Sequence, residues 1–186
     1  MSLIDQLLSP LTFAAALACG LVSGIFFAFS NFVMKALAQI SPESGMKAMQ
    51  AINVTVLNPL FLTLFLGTAG LCVLLGIVSV ARWSSPYALP LLAGSVLYFL
   101  GNFVVTITCN VPRNDALARI EATSPGAADA WRKYVVEWTR WNHVRTITAL
   151  AAAAAFTVAL CQLRGHRDLR VSGVASSLDV TSQDAG

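Results

Sequence analysis

Four long stretches of the chain, 6–34, 48–81, 83–112 and 146–163, contain no Asp, Glu, Lys or Arg. They hold 29, 34, 30 and 18 residues. A hydrocarbon layer about 30 Å thick is crossed by about 20 mostly apolar residues in helical form. Lipid leaves no backbone N–H or C=O unpaired, so a spanning segment is either a helix or a strand of a closed barrel. Barrel strands alternate apolar and polar positions, whereas Leu60-Phe61-Leu62-Thr63-Leu64-Phe65-Leu66 does not alternate. The pattern predicts an all-α fold: an integral membrane four-helix bundle with spans at about 11–37, 54–80, 89–109 and 146–163. One membrane domain covers 1–170, and the Ser-, Asp- and Gly-containing stretch 171–186 is expected to be a disordered tail.

The connections between spans are unequal. A short turn around Arg82 to Pro86 joins the second and third. The other two connections are long and helical in character, and both lie on one side of the bundle. Ser41-Pro42-Glu43 reads as an N-cap, a proline at the first helical position and an acid in the first turn. Ser124-Pro125 repeats the signature, and from 127 to 164 neither Gly nor Pro appears, so the last span is expected to begin as an exposed helix near Ala127 and run on unbroken. Asn58-Pro59 is expected to kink the second span near its start. Gly20-x-x-x-Gly24 permits close approach of two helix backbones, either inside the bundle, which we favour, or in a homo-oligomer.

Composition agrees with this architecture. Only 11% of residues are charged and the mean hydropathy is +0.70. The net charge of +3 is scattered over connections and tail, so the partners expected are membrane lipids and not nucleic acid. Eight Lys and Arg lie on the side of the long connections and four on the other, although 164–170 is the denser cluster. Count and density therefore point the positive-inside rule in opposite directions. A multi-pass protein of the plasma (cell) membrane is expected. The first ten residues carry Asp5 and no Lys or Arg, so the first stretch reads as a retained span and not as a cleaved signal peptide. Cys19, Cys72, Cys109 and Cys161 fall one per span with no CxxC, as small apolar residues do.

Polar residues cluster toward the long connections: Gln50, Asn53 and Asn58; Asn110 and Asn114; Glu137, Asn142, His143 and Arg145. In a bundle such groups face the interior or a hydrated cavity. Trp131, Tyr134, Trp138, Trp141 and Arg145 are spaced 3, 4, 3 and 4 residues apart, which places them within about 80° of a helical wheel. This stripe suits either one wall of a pocket for a flat aromatic ligand, with Arg145 stabilising a negative oxygen, or an interfacial aromatic belt with a snorkelling arginine. The imidazole of His143 is a candidate general base, but on the wheel it lies about 160° from Arg145. No metal-ligand spacing, nucleotide-binding loop or paired buried carboxylate is present, so no metal is expected.

Four motifs in order carry a resemblance: Met49-Gln50-Ala-Ile-Asn53, Asn58-Pro59-Leu-Phe61, Asn110-Val-Pro112-Arg-Asn114-Asp-Ala-Leu117 and Trp138-x-x-Trp141-Asn142-x-x-Arg145. The chain resembles the anthrone oxygenase family of small membrane proteins over about 11–163. The resemblance implies oxidation of a phenolic or polycyclic aromatic substrate by O2 with no cofactor. His143 and Arg145 would then be catalytic. Asn53, Asn58, Asn110, Asn114, Trp138, Trp141 and Asn142 would bind a small hydrophobic aromatic ligand. Two alternatives use the same residues without turnover: a membrane protein that binds or carries a hydrophobic ligand, and a structural protein whose asparagines tie connections to helix ends. In the structural alternative the Asn110-Val-Pro112 segment terminates the third span and Arg145 pairs with a carbonyl or with Glu137.

Overall fold

The computed structural model describes the backbone of residues 3–183 and the side chains of residues 6–165. Among the described residues there are five helices and no strand. We label them α1 (3–39), α2 (Pro42–Thr55), α3 (Pro59–Ala81), α4 (Ala88–Ala118) and α5 (Ala127–Gln183). Four of them, α1, α3, α4 and α5, are long and apolar enough to cross a membrane. At 23 residues α3 is about 35 Å long, enough to cross the hydrocarbon layer. The protein is thus a four-span membrane bundle. Packing runs around a ring, α1 on α5, α5 on α4, α4 on α3 and α3 on α1, while α2 closes one end.

Helix starts follow local chemistry. Ser41 Oγ accepts from the Ser44 N–H at 3.2 Å with Pro42 at the first turn. Asn58 plays the same part for α3: its Oδ1 accepts from the Phe61 N–H at 3.0 Å, and its Nδ2 donates to the Thr55 carbonyl at 3.1 Å. Asn58-Pro59 therefore begins a helix and does not kink one, and α2 ends before it. Ser124-Pro125 sits in a turn ahead of α5. The cap position belongs to Gly126, whose φ of +85° suits only glycine and whose carbonyl accepts from the Ala130 N–H. From there α5 runs without a break, and its backbone stays helical to Gln183. The sequence predicts a disordered tail from 171, and the side chains of that stretch lie outside the described residues.

Pro112 does not end the third span. Two wide π-turns, Phe99–Val104 and Thr106–Asn110, precede it, and the helix continues to Ala118. Arg113 Nη1 donates to the Cys109 carbonyl at 2.7 Å just before the proline. A third π-turn, Phe29–Val33, lies in α1. Each of the three contains one buried polar side chain, Ser30, Asn102 or Asn110, and each of these bonds to α5. Wide turns of this type concentrate at functional sites.

Two apolar clusters fill the interior. The larger, built around Cys19, Phe65, Cys72, Leu91, Tyr98 and Phe156, occupies the membrane spans. The smaller gathers Met34, Met46, Met49, Leu117, Trp131, Tyr134 and Trp138 beneath α2. The first turns of α5 are therefore partly buried, with α2 covering a face that the sequence reading left exposed. The close-approach glycines are Gly45, where a methyl would collide with the Leu37 carbonyl and the Trp131 ring, Gly94, where it would meet the Phe156 ring, and Gly101, where it would collide with Thr148. Nothing lies within 4 Å of a methyl at Gly20 or Gly24. That spacing is not used inside the bundle.

Candidate functional site

The first two π-turns along the chain bring their polar groups to one stretch of α5. Asn142 is buried there and fully engaged. Its Nδ2 donates to the Phe26 carbonyl and to Ser30 Oγ, each at 2.7 Å, while its Oδ1 accepts from Arg145 Nη2 at 2.7 Å. Arg145 is 4% exposed and has no carboxylate partner among the described residues. Its guanidinium carbon lies 4.1 Å from the centroid of Phe26 and 5.2 Å from that of Trp138, a sandwich that supports a cation through the ring faces. Nη1 donates to Thr106 Oγ1 at 3.2 Å. A buried arginine with no paired carboxylate is expensive to hold and marks a candidate site.

Arg145 faces a cavity of about 400 Å³, within the range of small-molecule sites. Phe26 and Phe29 of α1 line it, with Phe61 and Phe65 of α3, and Phe103 and Thr106 of α4. Phe61 and Phe65 stack at 5.8 Å with planes 7° apart, and Phe103 lies 6.4 Å from Phe65, so one wall is a layered aromatic surface. Three buried polar atoms of the cavity's lining residues have no hydrogen-bond partner among the described residues: Arg145 Nε, Trp138 Nε1 and Asn110 Oδ1. Unpaired buried groups of this kind are rare, and each carries a desolvation penalty of about 1–3 kcal/mol. Two of the atoms are donors and one is an acceptor. A ligand toward which these side chains turned would satisfy them with an oxygen accepting from the first pair and a hydroxyl donating to Asn110.

The expected site residues divide. Asn53, Asn110, Asn114, Trp138 and Arg145 line the cavity. Asn142 stands behind Arg145 and aims it. Asn58 caps α3 and lines nothing. Trp141 is half-buried outside the cavity wall. His143 is exposed and lies in a separate groove with Lys35, Thr139 and Arg140 between α1 and α5. The geometry thus separates His143 from Arg145, because two residues apart on a helix means nearly opposite faces.

The aromatic stripe is neither a pocket wall throughout nor an interfacial belt. Trp131 and Tyr134 stack on each other at 5.8 Å and pack under α2, and only Trp138 reaches the cavity. Glu137 pairs with Arg113 at 3.2 Å and not with Arg145.

Sequence reading missed the phenylalanine wall and Asp115, the one carboxylate among the lining residues. The Phe61 and Phe65 pair at i, i+4 was the available signal. Among the described residues no three His, Cys, Asp or Glu converge to hold a metal.

A family model described as anthrone oxygenase matches residues 61–155, about half of the chain. The match includes Asn110, Asn114, Trp138 and Arg145 and excludes Asn53. No curated protein and no solved structure matches the chain.

Proposed function

The chain belongs to the anthrone oxygenase family, and from that premise we propose that its cavity binds a flat, phenolic aromatic ketone and lets O2 oxidise its activated methylene. One observation carries the reading: Arg145, Trp138 and Asn110 line a mostly apolar cavity and hold two unpartnered donors, Nε and Nε1, and one unpartnered acceptor, Oδ1. The methylene of such a ketone is acidic because the electron pair left behind delocalises onto the carbonyl oxygen. Donors fixed at that oxygen stabilise the anion as it forms. The carbanion reduces O2 and forms a C–O bond. The resulting hydroperoxide loses water, so that one CH2 and one O2 become one C=O and one H2O. Asp115 on the cavity wall is the group available to take the first proton.

The test is oxygen uptake by the protein in nanodiscs with anthrone, corrected for spontaneous autoxidation. Uptake should match quinone formation one to one. Arg145→Lys keeps the charge and loses Nε and the planar stack, and should lower the rate about tenfold or more, the loss expected for a charged hydrogen bond. Uptake no faster than autoxidation would remove the oxygenase reading.

A second reading has its own support. The imidazole of His143 is remote from the cavity, which fits a protein that holds or carries the ligand without turning it over. Saturable anthrone binding with no protein-dependent uptake would favour it.

A further inference from the structure

We propose that the cavity opens sideways into the bilayer, between the start of α3 and the second half of α4, so that its ligand arrives dissolved in lipid and not from water.

The two sides of the cavity are built differently. Toward the connections, Gln50 Nε2 donates to the Leu117 and Ile120 carbonyls at 2.9 and 3.0 Å. Asn53 Nδ2 donates to Tyr134 Oη at 3.4 Å, and that hydroxyl donates to Asn114 Oδ1 at 2.8 Å. These side chains stitch α2 to the end of α4 and to α5. A ligand entering from water would have to part this seam, at about 1 kcal/mol of net stability for each bond.

The opposite side carries no such seam. Val54, Leu57, Leu66, Ile107 and Val111 line the cavity and are also 74%, 64%, 49%, 50% and 39% exposed. The same apolar side chains therefore border both the cavity and the outside. Leu66 lies seven residues inside α3 from Pro59, about 10 Å along its axis, so the opening reaches below the headgroups. At about that depth α3 and α4 pack together through Phe65, Tyr98 and Phe103, and Phe65 and Phe103 are part of the cavity wall. Beyond those rings the second π-turn of α4, Thr106–Asn110, carries that helix onward along the cavity wall.

An exposed apolar rim is disfavoured against water and neutral against acyl chains. A flat aromatic molecule concentrates in the same acyl layer, so the path from there to Arg145 crosses no polar barrier. The route rests on the shape of the cavity and stands apart from the reaction.

The experiment needs no ligand. A protein whose sole tryptophan is Trp138, with Trp83, Trp131 and Trp141 each replaced by Phe, is reconstituted in vesicles. Brominated acyl chains quench an indole they touch, and iodide quenches from water. We expect brominated lipid to quench Trp138 several-fold more strongly than iodide does, and Leu57→Phe with Ile107→Phe to reduce the lipid quenching by narrowing the mouth. If the single-tryptophan protein does not fold, the difference between the native chain and Trp138→Phe reports the same residue. Stronger quenching by iodide means a water-facing mouth and overturns the proposal, and so does quenching by neither agent. A protein that oxidises anthrone while Trp138 stays shielded from lipid would keep the proposed reaction and lose the route. The reverse result would keep the route alone.

Discussion

The two halves of the bundle satisfy their buried polar groups by different means. Toward the short turn the groups are mostly hydroxyls that bond nearby carbonyls. Thr12 donates to Leu8, Ser95 to Leu91 and Ser79 to Ala88, and Tyr98 reaches the Phe65 carbonyl across the α3–α4 contact. Toward the connections they include amides and a guanidinium, drawn from α2, α4 and α5 and joined by the hydroxyls of Ser30 and Thr146, and Arg145 Nε and Asn110 Oδ1 among them are unpartnered. A hydroxyl in a helix can bond its own preceding turn, so it asks nothing of its neighbours. An amide or guanidinium has too many donors and acceptors for that. Its burial commits other helices to particular places. Gln162, whose Oε1 is also unpartnered, is the exception in the first half and lies outside the cavity wall.

The largest effect should come where the halves meet. Gly101→Val would drive a side chain into Thr148 and separate α4 from α5, with an expected loss of about 3 kcal/mol or failure to fold, read by reversible unfolding in mixed micelles. Asn142→Ala strikes the connection half by removing three hydrogen bonds at once. It should lower stability by about 2 kcal/mol and weaken anthrone binding with it, because Arg145 loses its aim. In the other half Ser95→Ala removes a hydrogen bond within one helix and should stay within about 0.5 kcal/mol. Comparable losses from these two would break the comparison. Gln50→Ala should cost about 1 kcal/mol and raise iodide quenching of Trp138 by loosening the seam. Smallest of all, His143→Ala should change stability by under about 0.5 kcal/mol and leave oxygen uptake unchanged. A large drop in uptake would return the imidazole to the site.

The four spans were legible because charge is excluded from lipid wherever the chain crosses it. Arg145 and its neighbours were legible for the same reason, since a buried cation there needs a purpose. The opposite placement of His143 was visible on the helical wheel. Other features depended on tertiary facts that local pattern does not carry. A helix start and a kink both read as Asn-Pro, and the difference at Asn58 lies in whether Thr55 ends the helix before it. Pro112 looked like a terminator because the π-turns that absorb it leave no local signature. Phe61, Phe65 and Phe103 were invisible as a wall, since in a lipid-facing span an inward and an outward phenylalanine read alike.

The wide turns of α4 also bear on how the chain tolerates changes in its length. A π-turn spaces its hydrogen bonds one residue further than an α-turn does, so each one stores a spare residue inside an otherwise regular helix. Deleting a single residue between Phe99 and Val104 can be taken up by tightening that turn, leaving Tyr98 and Asn114 on the faces they now occupy. The same deletion in the regular helix of α3 would have no slack to use and would turn everything beyond it by about 100°. Insertions and deletions among relatives should therefore gather in the third span, where the helix keeps length in reserve beside the residues that face the cavity.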